Sequence, residues 1–308
     1  MNVYDTICIS GGGIKGFAFI GALEYLQNKS FLDLNNIKNL VGTSFGSMLS
    51  YLLTLGYSIH EIGEFILDFN FELLQTDVDI NSLLQSFGIN NGIKIMILLS
   101  SFLKEKYNLE DINFLDLYNL TKKKLTIIGT NYSKGTETIF NYETYPEMSV
   151  ITAIRISISV PFIFEPVLFN NEYYIDGGFS NNFPLNHCNP KSTFGIYIKH
   201  SCCNKMNNVF EFFFGCLNIL ADSISLKDYR NKYTIIEIDS KNAEFIKFEL
   251  TKEKKIEIIY EGQIYAKNFL DNLEAKKIVT EQVTDPITDP VTDPVTDPVT
   301  DPVTDPVT

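Results

Sequence analysis

The sequence predicts an α/β protein with a largely parallel sheet. Three observations carry this. Val3 to Ser10 is a strand-like apolar run that ends in Gly11-Gly12-Gly13. Ile37 to Val41 is a second, ending in Gly42-Thr43-Ser44. Each is followed by a helix-length apolar segment, and strands alternating with helices argue for parallel pairing.

In the first unit, Val3, Tyr4, Ile7, Cys8 and Ile9 show no helical period, so the run reads as a buried strand. Gly16 to Leu26 then places Phe17, Ile20, Leu23 and Leu26 at helical spacing. In the second unit, the strand Ile37–Val41 leads into a helix over Phe45–Leu55. The section His60–Leu120 reads as mostly helical. Leu125–Gly129, Thr138–Tyr142, Glu172–Ile175, Phe194–Ile198 and Thr234–Ile238 read as strands. Val150–Ser159 reads as a helix stopped near Pro161, and Ala243–Leu273 as a long closing helix.

From Val283 the chain repeats Val/Ile-Thr-Asp-Pro. A proline at every fourth position forbids a continuing helix or ladder, so residues 281–308 are expected to form a disordered acidic tail. A spacer is the plain reading of that tail, a docking segment the other.

Net charge is −13 over 308 residues. Residues 281–308 hold seven acids and no Lys or Arg, so residues 1–280 carry −6. A basic face for nucleic acid is not expected. Hydrophobic residues make up 45 % of the chain, enough for a buried core. The five cysteines form no C-x-x-C pair, and the three histidines have no metal-ligand spacing, so no metal site is expected. The start MNVYDTICIS carries no signal-peptide pattern. With unpaired thiols, this points to a cytoplasmic protein. The apolar runs Ile95–Leu103 and Val209–Ala221 are too short to span a bilayer. They read first as core helices, and alternatively as membrane-surface helices.

Three motifs carry chemistry. GTSFG, Gly42 to Gly46, matches the nucleophile elbow: a strand-to-helix turn too tight for side chains at either glycine pushes the Ser44 hydroxyl out at a helix N-terminus. The competing reading is a serine that caps a buried helix. GGGIKG, Gly11 to Gly16, has the spacing of a dinucleotide loop, but the second strand ends without the acid that would hold a ribose. As an oxyanion hole, the same glycines let backbone N–H groups point at developing negative charge. One helix and one strand separate Gly13 from Ser44, which in a parallel βαβ unit puts both turns side by side. The third motif is YYIDGGFSNNFP, where a strand delivers Asp176 to Gly177-Gly178. A proton acceptor for Ser44 is one reading, a plain Asp-Gly turn the other. His60, His187 and His200 are alternative bases, each with a structural reading as well.

Together GGGIKG, GTSFG, the Ser-rich segment AIRISISVPFIFEPV (Ala153 to Val167) and DGGFSNNFP resemble the patatin-like phospholipase family, which includes plant patatins and calcium-independent phospholipases A. The resemblance covers roughly Tyr4 to Ile198. It implies a three-layer α/β/α fold, with a catalytic domain over 4–200 and 201–280 completing it. It implies a Ser–Asp dyad with Ser44 as nucleophile and Asp176 as base, and no catalytic histidine. Gly11, Gly12 and Gly13 match the oxyanion hole. Lys15 holds the family's basic position, for substrate contact or a structural ion pair. Gly16, Gly42, Gly46, Gly177 and Gly178 support the motifs. The resemblance further implies a metal-free, cofactor-free lipid acyl hydrolase acting on phospholipid or another acyl lipid at a membrane surface. An activating protein partner is compatible with it. A catalytically silent lipid-binding protein on the same fold is the alternative. If Asp176 is the base, its pKa must be raised by desolvation, because a solvated Asp near 4 is a poor base at pH 7.

Overall fold

A computed structural model describes residues 4–74, 83, 85–199, 212, 215, 227–240 and 250–284. The run Val209–Ala221, apart from two isolated positions, and the repeats beyond Thr284 lie outside the described residues. The chain divides into a compact unit over 1–269 and a second unit over 270–308.

The unit over 1–269 is built on one mixed sheet. Its strands in chain order are β1 (Thr6–Ile9), β2 (Asn39–Thr43), β4 (Lys124–Asn131), β5 (Thr136–Phe140), β7 (Val167–Phe169), β8 (Glu172–Asp176), β9 (Thr193–Ile198) and β10 (Thr234–Ile238). Across the sheet they run β10-β9-β1-β2-β4-β8-β7, with β5 also on β4. The five strands from β10 to β4 are parallel, while β5, β7 and β8 pair antiparallel. The central parallel strands β1 and β9 are buried at every position, on both faces. The α/β reading with a mostly parallel sheet is borne out.

Helices α1 (Phe17–Asn28) and α2 (Phe45–Thr54) follow β1 and β2. The crossovers bring β1 beside β2, with Cys8 opposite Val41. The expected adjacency of the glycine loop and the serine turn follows from that pairing. The middle section supplies α3 (Ile59–Asp68), α4 (Ile93–Tyr107) and α5 (Phe114–Thr121). It also holds a strand the sequence reading missed: β3 (Gly88–Asn90) pairs with β6 (Phe162–Phe164) in a separate two-stranded sheet. Three residues are too few to show a period, and Pro161 and Pro166 bracket β6 with turn signals. Helix α6 (Val150–Ser157) packs on β4 and β8. Short helices α7 (Gly178–Asn181) and α8 (Lys227–Arg230) precede β9 and β10. Of the closing helix expected over Ala243–Leu273, residues 243–249 lie outside the described residues, and helix α9 runs Lys252–Thr284. It reaches past the expected start of the tail at 281.

β8, which ends in Asp176, runs antiparallel to β4. A strand has two hydrogen-bonding edges. β5 takes one edge of β4 over Ile127–Asn131. β2 and β8 therefore share the other, end to end. Thr43 is opposite Ile128 and Asp176 is opposite Gly129, with the two strands running toward each other. Their carboxyl ends meet head to head one residue apart, and both chains turn off the sheet there.

Candidate active site

Ser44 follows the last residue of β2 and stands at the N-cap of α2 with φ 51° and ψ −123°. This conformation is rare for any residue with a side chain, and it persists only where its surroundings enforce it. Two glycines do so. A Cβ on Gly42 would run into the carbonyl of Gly46, and a Cβ on Gly46 would run into the carbonyl of Ile9. The turn exists because its backbone segments come closer than side chains allow. The Ser44 N–H donates to the Ser157 hydroxyl at 2.9 Å, which ties the elbow to the end of α6.

The Ser44 hydroxyl does not cap its helix. It donates to Asp176 Oδ2 at 2.7 Å. The other carboxylate oxygen accepts from the Gly178 N–H at 2.7 Å. Asp176 is 4 % exposed. Burial pushes its pKa up from 3.8 to about 7, against the two hydrogen bonds, which pull it down. Its backbone is held as well: the N–H donates to Ser159 O at 2.9 Å, and the carbonyl accepts from Thr130 Oγ1 at 2.8 Å. A carboxylate poised near neutral pH, in contact with a hydroxyl held out on a strained turn, is an arrangement for general-base activation of a nucleophile.

The glycine loop lies against this pair. Gly11 leaves no room for a Cβ between Asn182 and Ser44. Its N–H donates to Asn182 O at 3.1 Å, so it is engaged and not free for an oxyanion. No described residue accepts from the N–H of Gly12 or Gly13. Gly13 has φ 52° and opens a 3-10 turn over Gly13–Gly16. Lys15 in that turn is 7 % exposed, and no described residue forms an ion pair or hydrogen bond with its ammonium. Gly16 packs on the Phe45 ring, and Gly177 on the carbonyl of Ile128.

The histidines are elsewhere. His187 Nε2 pairs with Glu137 Oε1 at 2.9 Å, and His60 lies between Glu24 and Glu64. His200 lies outside the described residues. Among the described residues no group of His, Cys, Asp and Glu is placed to hold a metal ion.

Sequence reasoning gave no role to Arg155, Ser157 or Ser159. Arg155 is buried, and its guanidinium donates to Asn91 O at 2.9 Å, to Glu165 O at 2.8 Å and to the Ser159 hydroxyl. It fastens the β3–α4 corner and the end of β6 to the segment that carries Asp176. A lone arginine in an apolar helix was the available signal, since such a residue is buried only when paired.

Residues 7–188 match the model of the patatin-like phospholipase family, more than half of the chain. The chain belongs to the patatin-like phospholipase family. A protein of Invertebrate iridescent virus 6, named a probable lipid hydrolase, is 34 % identical over 185 residues, 59 % of this chain and 62 % of the viral protein. The chain thus aligns with less than two thirds of that relative. An uncharacterized protein of Bacillus subtilis is 26 % identical over 296 residues, covering 87 % of this chain and 98 % of its own length. Among solved structures, VipD from Legionella pneumophila superposes with a TM-score of 0.66 at 14 % identity, over 88 % of this chain and 67 % of VipD. That likeness shows the fold. Ser44, Asp176 and the glycine loop all fall within residues 7–188.

Proposed function

We propose that the chain is a lipid acyl hydrolase of the phospholipase A type, working through a Ser44–Asp176 dyad. The observation that carries this is the 2.7 Å hydrogen bond from the Ser44 hydroxyl to an Asp176 carboxylate that burial raises to about 7. Ser44 Oγ attacks the acyl carbonyl of a glycerophospholipid and its proton passes to Asp176. The N–H groups of Gly12 and Gly13 stabilise the oxyanion. Gly11 supports them from behind, its own N–H being engaged. The tetrahedral intermediate collapses, and the leaving lysophospholipid alkoxide takes the proton from Asp176. Asp176 then deprotonates a water that attacks the acyl-enzyme, releasing fatty acid and restoring Ser44. Lys15, buried beside the loop, is assigned to the negative charge of the substrate.

The test is fatty-acid release from phosphatidylcholine vesicles in EDTA. Wild type and His187→Ala should be active, and Ser44→Ala and Asp176→Asn inactive. Activity retained in either dyad variant would overturn the reading, and dependence on calcium would overturn its metal-free form.

A further inference from the structure

Two phenylalanines sit where the backbone prefers something else. Phe87 has φ 63° and Phe162 has φ 70°. A bulky residue at positive φ is an outlier, whereas asparagine and glycine enter this region readily. Both are exposed, Phe87 by 64 % and Phe162 by 42 %. The two are held together, since the Phe162 N–H donates to Phe87 O at 3.2 Å where β6 meets β3. The local preference of the chain and the hydration preference of the ring are both overridden, at two neighbouring positions.

The same corner carries more exposed apolar surface. Helix α4 begins three residues after β3. Its buried side is Ile95, Leu99, Phe102 and Leu103, and its outer side shows Ile93 at 52 % and Ile97 at 63 % exposure. Lys94 is exposed between them. The apolar run that reads first as a core helix is therefore only half one. Leu73 is 63 % exposed, and its neighbour Leu74 accepts from the Asn90 side chain at the end of β3.

This corner is tied to the dyad. Arg155 holds Asn91 O and Glu165 O, and it also holds Ser159, whose carbonyl receives the Asp176 N–H. Whatever seats the β3–β6 corner is thereby set in position relative to Asp176.

We propose that Phe87, Phe162, Ile93, Ile97 and Leu73 form the surface by which the protein rests on a phospholipid bilayer, placing the dyad at the headgroup level. This rests on the hydrolase reading of Ser44 and Asp176, and extends it to how the substrate phase is met. A bilayer fits this surface better than a second copy of the chain. Exposed apolar groups with a lysine among them match an interfacial helix face, whose apolar groups enter the acyl boundary while the cation stays at the headgroups.

The strain makes the test clean. Phe87→Asn with Phe162→Asn puts a residue suited to positive φ at both positions, so the fold should keep or raise its melting temperature. Ile93→Gln with Ile97→Gln alters the helix face with good helix formers. Flotation with phosphatidylcholine vesicles, with and without phosphatidylserine, reads binding. Hydrolysis of 4-nitrophenyl butyrate in solution reads the dyad alone. Each double variant should bind vesicles at least about tenfold more weakly, since two buried apolar side chains contribute more than one factor of ten. Each should release fatty acid from vesicles correspondingly more slowly, and hydrolyse the soluble ester as wild type does. Unchanged vesicle binding in both variants overturns the proposal. So does a self-associated wild type that both variants make monomeric with vesicle binding intact. If wild type binds vesicles but hydrolyses neither substrate, the hydrolase reading fails, and weaker binding by the variants still supports the surface.

Discussion

Ser44 and Ser58 both stand at the N-cap of a ten-residue helix, yet they do different things. Ser58 has φ −71° and ψ 155°, accepts from the Glu61 N–H, and completes a capping box through the Glu61 side chain. Ser149, with φ −57° and ψ 127°, caps α6 by accepting from the Thr152 N–H, without a capping box. Ser44 has φ 51° and ψ −123° and leaves the N-terminus of α2 uncapped. An N-cap residue needs extended backbone to turn its oxygen back on the helix. At Ser44 the close approach of Gly42 and Gly46 denies that conformation and sends the hydroxyl to Asp176. A serine before a helix is thus a cap by default, and at Ser44 the neighbouring backbone takes the cap geometry away and leaves the hydroxyl to Asp176.

The largest break in this comparison is in activity. Ser44→Ala and Asp176→Asn should each lower kcat for ester hydrolysis by at least about 10⁴-fold, as loss of one member of a catalytic unit does. Ser58→Ala and Ser149→Ala should leave kcat within about twofold. Initial rates on a soluble ester check all four.

The next effect lies in pH. The folded pKa of Asp176, about 7, is above its unfolded value of 3.8. The native state therefore holds a proton that the unfolded chain has lost between those pH values, and stability falls as pH rises through that window. Three pH units correspond to roughly 4 kcal/mol when the transition is complete. Asp176→Asn removes this dependence, so its melting temperature should gain on wild type at pH 8 relative to pH 5. Equal differences at both pH values would mean that Asp176 titrates normally. In wild type, kcat/KM should fall below an apparent pKa near 7, whereas a limb near 4 would remove the base from the mechanism.

Much of this was legible in the sequence because backbone rules enforce it. Glycines at Gly42 and Gly46 signalled a turn that admits no Cβ, and the order of strands and helices put the glycine loop beside that turn. Desolvation of Asp176 was expected from the chemistry demanded of it. What was not legible is what depends on pairing over long separations. That β8 abuts β2 on one edge of β4, rather than lying parallel beside it, is fixed by the competition of β5 for the other edge. The engaged N–H of Gly11 depends on Asn182, and the anchoring of the elbow on Ser157. No local pattern encodes these partners.

Substituting the turn glycines sharpens the comparison from the backbone side. Gly46→Ala forces a methyl into the carbonyls of Ile9 and Ser10, and both are main-chain atoms of the sheet and its following turn. It should lower stability by about 2–4 kcal/mol, in the range of severe steric substitutions, and abolish activity by moving Ser44. Gly63→Ala in α3, where the added methyl meets only the Ile20 side chain at ordinary contact distance, should be neutral or stabilising by up to about 1 kcal/mol. Urea denaturation of the two variants separates them.

The smallest expected effect is the most diagnostic of what Ser44 is for. Ser58→Ala removes a side-chain acceptor from the Glu61 N–H and should cost about 1 kcal/mol. Ser44→Ala removes no cap, because none is formed. It does remove a hydroxyl donor from Asp176, but that bond favours the ionised carboxylate, and at pH 5 the carboxyl is protonated. Measured at pH 5, Ser44→Ala should therefore change stability by less than about 0.5 kcal/mol, and Ser58→Ala by twice that or more. Equal losses at the two serines would mean that Ser44 also supports its helix, and that the division between capping and chemistry drawn from their backbone angles is wrong.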